Sequence, residues 1–216
     1  MKKMLNAVWM FVVFQTFVIV SSQSLAQTNE PVKSVLIVGD SLSAGYGIKV
    51  EQSWPSLLQI KLDQVHQQGP KVTVHNVSIS GQTSVEGAAQ IEQLLVNTSP
   101  DLVILELGAN DGLRGLSIPE MKKNLANIIQ QSQQAKAKVL LLGMHVPSNY
   151  GRRYSQMFHN TFQQLADEYN TGLVPFMLET VATRKEFIQP DGLHPTAEAQ
   201  PLILEHLWRE IEQGVK

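Results

Sequence analysis

Cysteine is absent from all 216 residues. That absence excludes disulfides, a thiolate nucleophile, Cys-ligated zinc and lipid attachment through an N-terminal cysteine of the mature chain. Clustered positive charge is missing as well: Lys and Arg number 17 against 19 Asp and Glu, with no dense cationic run. Nucleic acid is therefore not an expected partner, because neutralising phosphates takes grouped cations. Nucleotide signatures are incomplete. Gly45-Tyr46-Gly47 starts like a dinucleotide fingerprint, but Val50 stands where its third glycine belongs, and no Gly-Lys-Ser or Gly-Lys-Thr occurs. A Gly-x-Ser-x-Gly elbow is lacking too, since Ser43 fills the final glycine position after Ser41. No cluster has metal-ligand spacing, so neither a metal nor a cofactor is expected.

Long apolar runs are confined to the start of the chain. Met1-Lys2-Lys3 is followed by a mostly apolar stretch from Val8 to Val20 and then by Ser24-Leu25-Ala26, a small-x-small pattern. This reads as a secretory signal cleaved after Ala26. The apolar run is interrupted by Gln15 and Thr16 and is short for a membrane span of roughly 20 residues. The expectation is a periplasmic or secreted protein with no stable membrane anchor after cleavage. Removal of residues 1–26 leaves 190 residues and, because two lysines leave with them, moves the net charge from −2 to −4. Residues 27–216 suit a single domain with a substantial apolar interior. Nothing in them suggests an association segment, so a monomer is expected.

Four apolar, β-branched runs follow one another: Val35-Leu36-Ile37-Val38, Val72-Thr73-Val74-His75-Asn76-Val77, Leu102-Val103-Ile104-Leu105-Glu106-Leu107 and Val139-Leu140-Leu141-Leu142. They read as strands buried mostly on both faces, with a weaker fifth at Leu173-Val174-Pro175-Phe176. Between them, helical spacing is set by Trp54, Leu57, Leu58 and Leu62, by Ile91, Leu94 and Leu95, by Met121, Leu125, Ile128 and Ile129, and by Phe158, Phe162, Leu165 and Ala166. A last helix carries Leu204, Leu207, Trp208 and Ile211, and either begins or bends at Pro201. Strand-helix alternation of this kind predicts a parallel sheet covered by helices on both faces.

The polar motifs fall after the strands. Gly39-Asp40-Ser41 follows the first, Ser80-Gly81-Gln82-Thr83 the second, Gly108-Ala109-Asn110-Asp111 the third and His145-Val146-Pro147 the fourth, while Asp191-Gly192-Leu193-His194 precedes the terminal helix. Ligands bind at the carboxyl edge of such sheets, so these segments should converge there. Ser41 needs a base, and His194 is the one histidine of six with an acid, Asp191, within a single turn's reach and a stiffening Pro195 beside it. His66, His75, His159 and His206 sit in helical or strand segments, and His145 is placed at the cleft rim. The oxyanion of acyl transfer needs fixed donors. Gly81 suits a backbone N–H with close substrate approach, and Asn110 offers its amide, whereas Asp111 is expected to hold its loop.

In order and approximate spacing, Gly39-Asp40-Ser41-Leu42, Gly81, Gly108-x-Asn110-Asp111 and Asp191-x-x-His194 resemble the four blocks of the GDSL or SGNH hydrolase family. The likeness extends over nearly the whole mature chain and is closest to the family's periplasmic thioesterases, lysophospholipases and arylesterases, from which Gly47 and His145 depart by replacing arginine. It implies a flavodoxin-like three-layer α/β/α fold with a five-stranded parallel sheet. It also implies a catalytic set of Ser41, His194 and Asp191, and an oxyanion hole from the Ser41 and Gly81 N–H groups and the Asn110 side chain. The implied reaction is hydrolysis of small acyl esters or thioesters, such as aryl esters, acyl-CoA or lysophospholipids, with the loop 111–119 moving as an acyl chain binds. A carbohydrate acetylesterase of the same family would use an identical set and is the rival. Leu113, Met144, Val146, Tyr150 and Ile188 are the candidates to line the acyl groove, where each buried methylene is worth about 0.8 kcal/mol.

Overall fold

The computed structural model describes residues 33–67 and 69–216; the signal segment 1–26 lies outside them. Five strands are present: β1 (Lys33–Gly39), β2 (Val72–Asn76), β3 (Leu102–Glu106), β4 (Lys138–Leu142) and β5 (Gly172–Val174). All pair in parallel, in the order β2-β1-β3-β4-β5. The chain steps from β1 outward to β2 and then returns to the far side of β1 for β3. That reversal opens a crevice between the carboxyl ends of β1 and β3.

Seven helices follow: α1 (Ser41–Ala44), α2 (Trp54–Val65), α3 (Ser84–Thr98), α4 (Ala109–Leu113), α5 (Ile118–Gln134), α6 (Arg152–Tyr169) and α7 (Gln200–Val215). α2 packs on α7 over one face of the sheet, while α5 packs between α3 and α6 over the other. This is the expected three-layer arrangement. Pro201 falls in the first turn of α7, so the helix starts there and does not bend.

Burial divides the sheet more sharply than the sequence pattern suggests. β1 and β3 are buried almost throughout, as their unbroken apolar runs require. β2 and β5 are the outer strands, and both are partly exposed. Expecting burial on both faces was wrong for β2: Thr73 is exposed and His75 half-buried, because no strand covers its outer edge. The core above and below the central strands is filled by Trp54, Leu58, Leu62, Phe158 and Phe162, among others, each at 1 % exposure or less. At the opposite end from the crevice, the Lys33 ammonium donates to the Val215 carbonyl, bringing the start of β1 beside the end of α7.

Candidate active site

Ser41 opens α1, a single helical turn immediately after β1. The turn is fixed by Asp40, whose Oδ1 accepts the Leu42 N–H at 3.0 Å as an N-cap. Leu42 and Ser43 are buried, which leaves the half-buried Ser41 facing the crevice. The serine is thus presented by its own short helix, ahead of the longer α2.

From the far end of the chain, the turn before α7 brings His194 across. Its Nε2 lies 2.8 Å from Ser41 Oγ, and its Nδ1 lies 2.7 Å from Asp191 Oδ2. A carboxylate on Nδ1 favours the tautomer with its proton there, leaving the Nε2 lone pair toward the serine. Asp191 is itself fixed: its Oδ1 accepts the Leu193 and His194 N–H groups at 2.9 and 3.0 Å. Those backbone bonds, with the bond and charge of His194, lower its pKa to about 2. The loop is also tied to the segment after α1. Gln189 donates from Nε2 to the Tyr46 and Pro195 carbonyls, and the Tyr46 ring lies 4.5 Å from the His194 ring.

Gly81 adopts φ +83°, a conformation that side chains resist, and its carbonyl accepts from Arg114 Nη2 at 2.8 Å. Among the described residues the N–H groups of Ser41 and Gly81 have no acceptor, so both remain available as donors. Asn110 lies in α4, not in a loop, and its Nδ2 donates to Asp40 Oδ2 at 2.9 Å and to the Gln82 carbonyl at 3.1 Å. Asp111 holds the segment together as expected: it accepts from both the N–H and hydroxyl of Ser84 at the start of α3.

Ser41, Gly81, Asn110 and His194 line one groove of about 550 Å³. Of the five residues expected to form its apolar wall, Leu113, Met144, Val146 and Ile188 do so. Tyr150 does not; its hydroxyl donates to the Leu113 carbonyl at 2.6 Å, bracing the wall from behind. The wall also includes Phe176 and Leu178, which the sequence reading missed: it placed Phe176 in the fifth strand, but that strand ends at Val174 and both residues lie in the irregular segment beyond it. His145 lines the rim, 4.3 Å ring to ring from Phe176, and burial followed by the nearby His159 lowers its pKa. In the segment 111–119, Gly112 is buried in α4, where a Cβ would lie 2.5 Å from Val146 and 2.6 Å from Phe158, while Gly115 has φ +64° with open space around it.

Two buried acids behind the serine were also missed. Asp40 is 1 % exposed and Glu106 fully buried, and burial raises the pKa of both, that of Asp40 to about 6. The signal was present in the sequence as one acid in the otherwise apolar run Leu102–Leu107.

Comparison with known proteins shows the family. Residues 37–201 match the GDSL-like Lipase/Acylhydrolase family. An arylesterase from Vibrio mimicus is 45% identical over 87% of this chain and 92% of its own. The thioesterase 1/protease 1/lysophospholipase L1 of Escherichia coli K12 is 40% identical over 83% of each chain. The crystal structure of TesA superposes with a TM-score of 0.80 at 42% identity, covering 84% of this chain and 99% of that one. The chain belongs to the GDSL-like lipase/acylhydrolase family, the SGNH serine hydrolases.

Proposed function

We propose that this SGNH ester hydrolase cleaves acyl esters and thioesters through an acyl-Ser41 intermediate, with His194 as base and Asp191 as its orienting partner. The observation that carries the reading is the unbroken chain Asp191–His194–Ser41, with links of 2.7 and 2.8 Å, opening into an apolar groove. Ser41 Oγ attacks the acyl carbonyl as His194 Nε2 takes its proton, and Asp191 stabilises the imidazolium. The developing oxyanion is received by the Ser41 and Gly81 N–H groups and the Asn110 amide. His194 then delivers the proton to the departing alcohol or thiol, and water repeats the sequence to release the acid. A one-sided apolar wall of Leu113, Met144, Val146 and Ile188 favours an unbranched acyl tail over a sugar ring.

The test is a chain-length series of aryl esters, acyl thioesters and acetylated sugars on wild type, Ser41→Ala and His194→Ala. Loss of either residue is expected to lower turnover by about 10⁴-fold or more. Near-normal activity in Ser41→Ala would overturn the mechanism, and preference for acetylated sugars would overturn the substrate class. The leader pattern at the N-terminus supports export to the periplasm or beyond. The exported form should begin at Gln27, which N-terminal sequencing reads directly, and should sediment as a monomer.

A further inference from the structure

Glu106 ends β3 directly opposite Gly39 in the ladder and is completely buried. The acyl transfer above makes no use of it. Its Oε2 accepts the Asp40 N–H at 3.1 Å and the Ser43 hydroxyl at 2.7 Å, while its buried Oε1 receives no donor among the described residues. An isolated carboxylate in such a place is costly, whereas a neutral carboxylic acid needs only an acceptor for its proton. The acceptor at hand is the carboxyl of Asp40, the residue whose own N–H is bonded to Glu106 Oε2.

Asp40 carries the connection forward to the site. One of its oxygens caps α1 through the Leu42 N–H, and the other holds Asn110 Nδ2 at 2.9 Å. The second hydrogen of that amide is donated to the Gln82 carbonyl through a longer bond of 3.1 Å, the weaker of the two to exchange for a bond to the oxyanion. The first glycine of Gly39-Asp40-Ser41-Leu42 belongs to the same device. A Cβ at Gly39 would lie 2.6 Å from Glu106 Oε2 and 2.9 Å from Ser78 Oγ, so the facing strand is kept bare where the acid sits.

We propose that Glu106 is a positioning residue that works as a neutral acid: its proton, donated to the Asp40 carboxylate, locks Asp40 in the rotamer that both starts the Ser41 helix and aims the Asn110 amide. The inference rests on the acyl-serine reading, in which Asn110 receives the oxyanion. Two carboxyl groups in contact do not both ionise, and the deeper one keeps the proton. The groups that face the pair are Ser43 on α1, Ser78 after β2, Asn110 on α4 and His194 from the late loop. Of these His194 alone can carry charge, and that charge favours the ionised form of Asp40.

The test compares Glu106→Gln and Glu106→Leu in the intact enzyme. Gln reproduces the neutral acid, with one donor for Asp40 and one acceptor for Asp40 N–H and Ser43, and should retain most of the wild-type kcat. Leu should lower kcat by about 10²-fold with KM little changed, the effect of misplacing one oxyanion donor. Infrared spectra at neutral pH should show a protonated-carboxyl C=O band in wild type that Glu106→Gln lacks. A folded Glu106→Gln that loses activity as severely as Glu106→Leu, or a wild type without the band, would overturn the proposal. Failure of the acyl-serine reading would show separately, as a Ser41→Ala variant that stays active and a fluorophosphonate probe that labels another residue.

Discussion

Tyr150 and Leu113 are joined by a hydrogen bond of 2.6 Å from the tyrosine hydroxyl to the leucine carbonyl, so the last residue of α4 is held by the segment leading into α6. Tyr154 adds bonds to the Gly112 and Leu116 carbonyls, and its ring is stacked 6.1 Å from that of Tyr150. The Tyr150→Phe variant keeps the ring and loses the bond, at a cost of about 0.5–1.5 kcal/mol in stability. It should flatten the dependence of kcat/KM on acyl length, since Leu113 is wall, while leaving acetyl esters nearly unaffected. A uniform fall across the chain-length series would assign the bond to catalysis instead.

Asn110→Ala should remove one oxyanion donor of the proposed mechanism and leave the His194–Ser41 link in place. Turnover should drop by about 10²–10³-fold with a small change in KM. Steady-state kinetics on an aryl ester, with circular dichroism to verify folding, separates this from a structural loss.

Phe158 is fully buried, sits edge-on to Phe162 at 5.4 Å and lies under Gly112 of α4. Phe158→Ala should cost about 3–5 kcal/mol, read as a lower urea midpoint. Because the cavity opens beneath the helix that carries Asn110, turnover should also decline below the unfolding transition.

The two aspartates flanking the site bias stability in opposite directions with pH. Asp191 has its pKa lowered from 3.8 to about 2, so its contribution is present above about pH 4 and is lost as pH falls toward 2. Asp40 has its pKa raised from 3.8 to about 6, so the native state holds the proton longer, and stability declines as pH climbs from about 4 to 6. Urea titrations at a series of pH values should show Asp40→Asn losing the second trend and Asp191→Asn the first.

Much of this arrangement was legible because it rests on chemistry that uses distinctive residues. A serine after a strand, an acid three positions before a histidine and a Gly-x-Asn-Asp block leave marks in any sequence, and alternating apolar runs located the strands to within a residue or two. The groove was harder. Met144 and Val146 are 2 % and 8 % exposed and read equally well as core; only the position of the sheet edge makes them wall. Tyr150 does not line the groove, and sequence cannot say which way a tyrosine hydroxyl near a cleft points. Glu106 stood out as an acid in an apolar run, but its role was hidden for a different reason: its partner Asp40 is 66 residues away, and only strand register brings them together.

The meeting of Lys33 with Val215 has a practical side. β1 runs seven residues from there to the crevice, about 20 Å at the rise of an extended strand. A carrier, tag or solid support joined ahead of Lys33 or behind Lys216 therefore emerges on the side of the sheet away from the groove. The enzyme can be tethered by either end, or by both, with its mouth facing the solution.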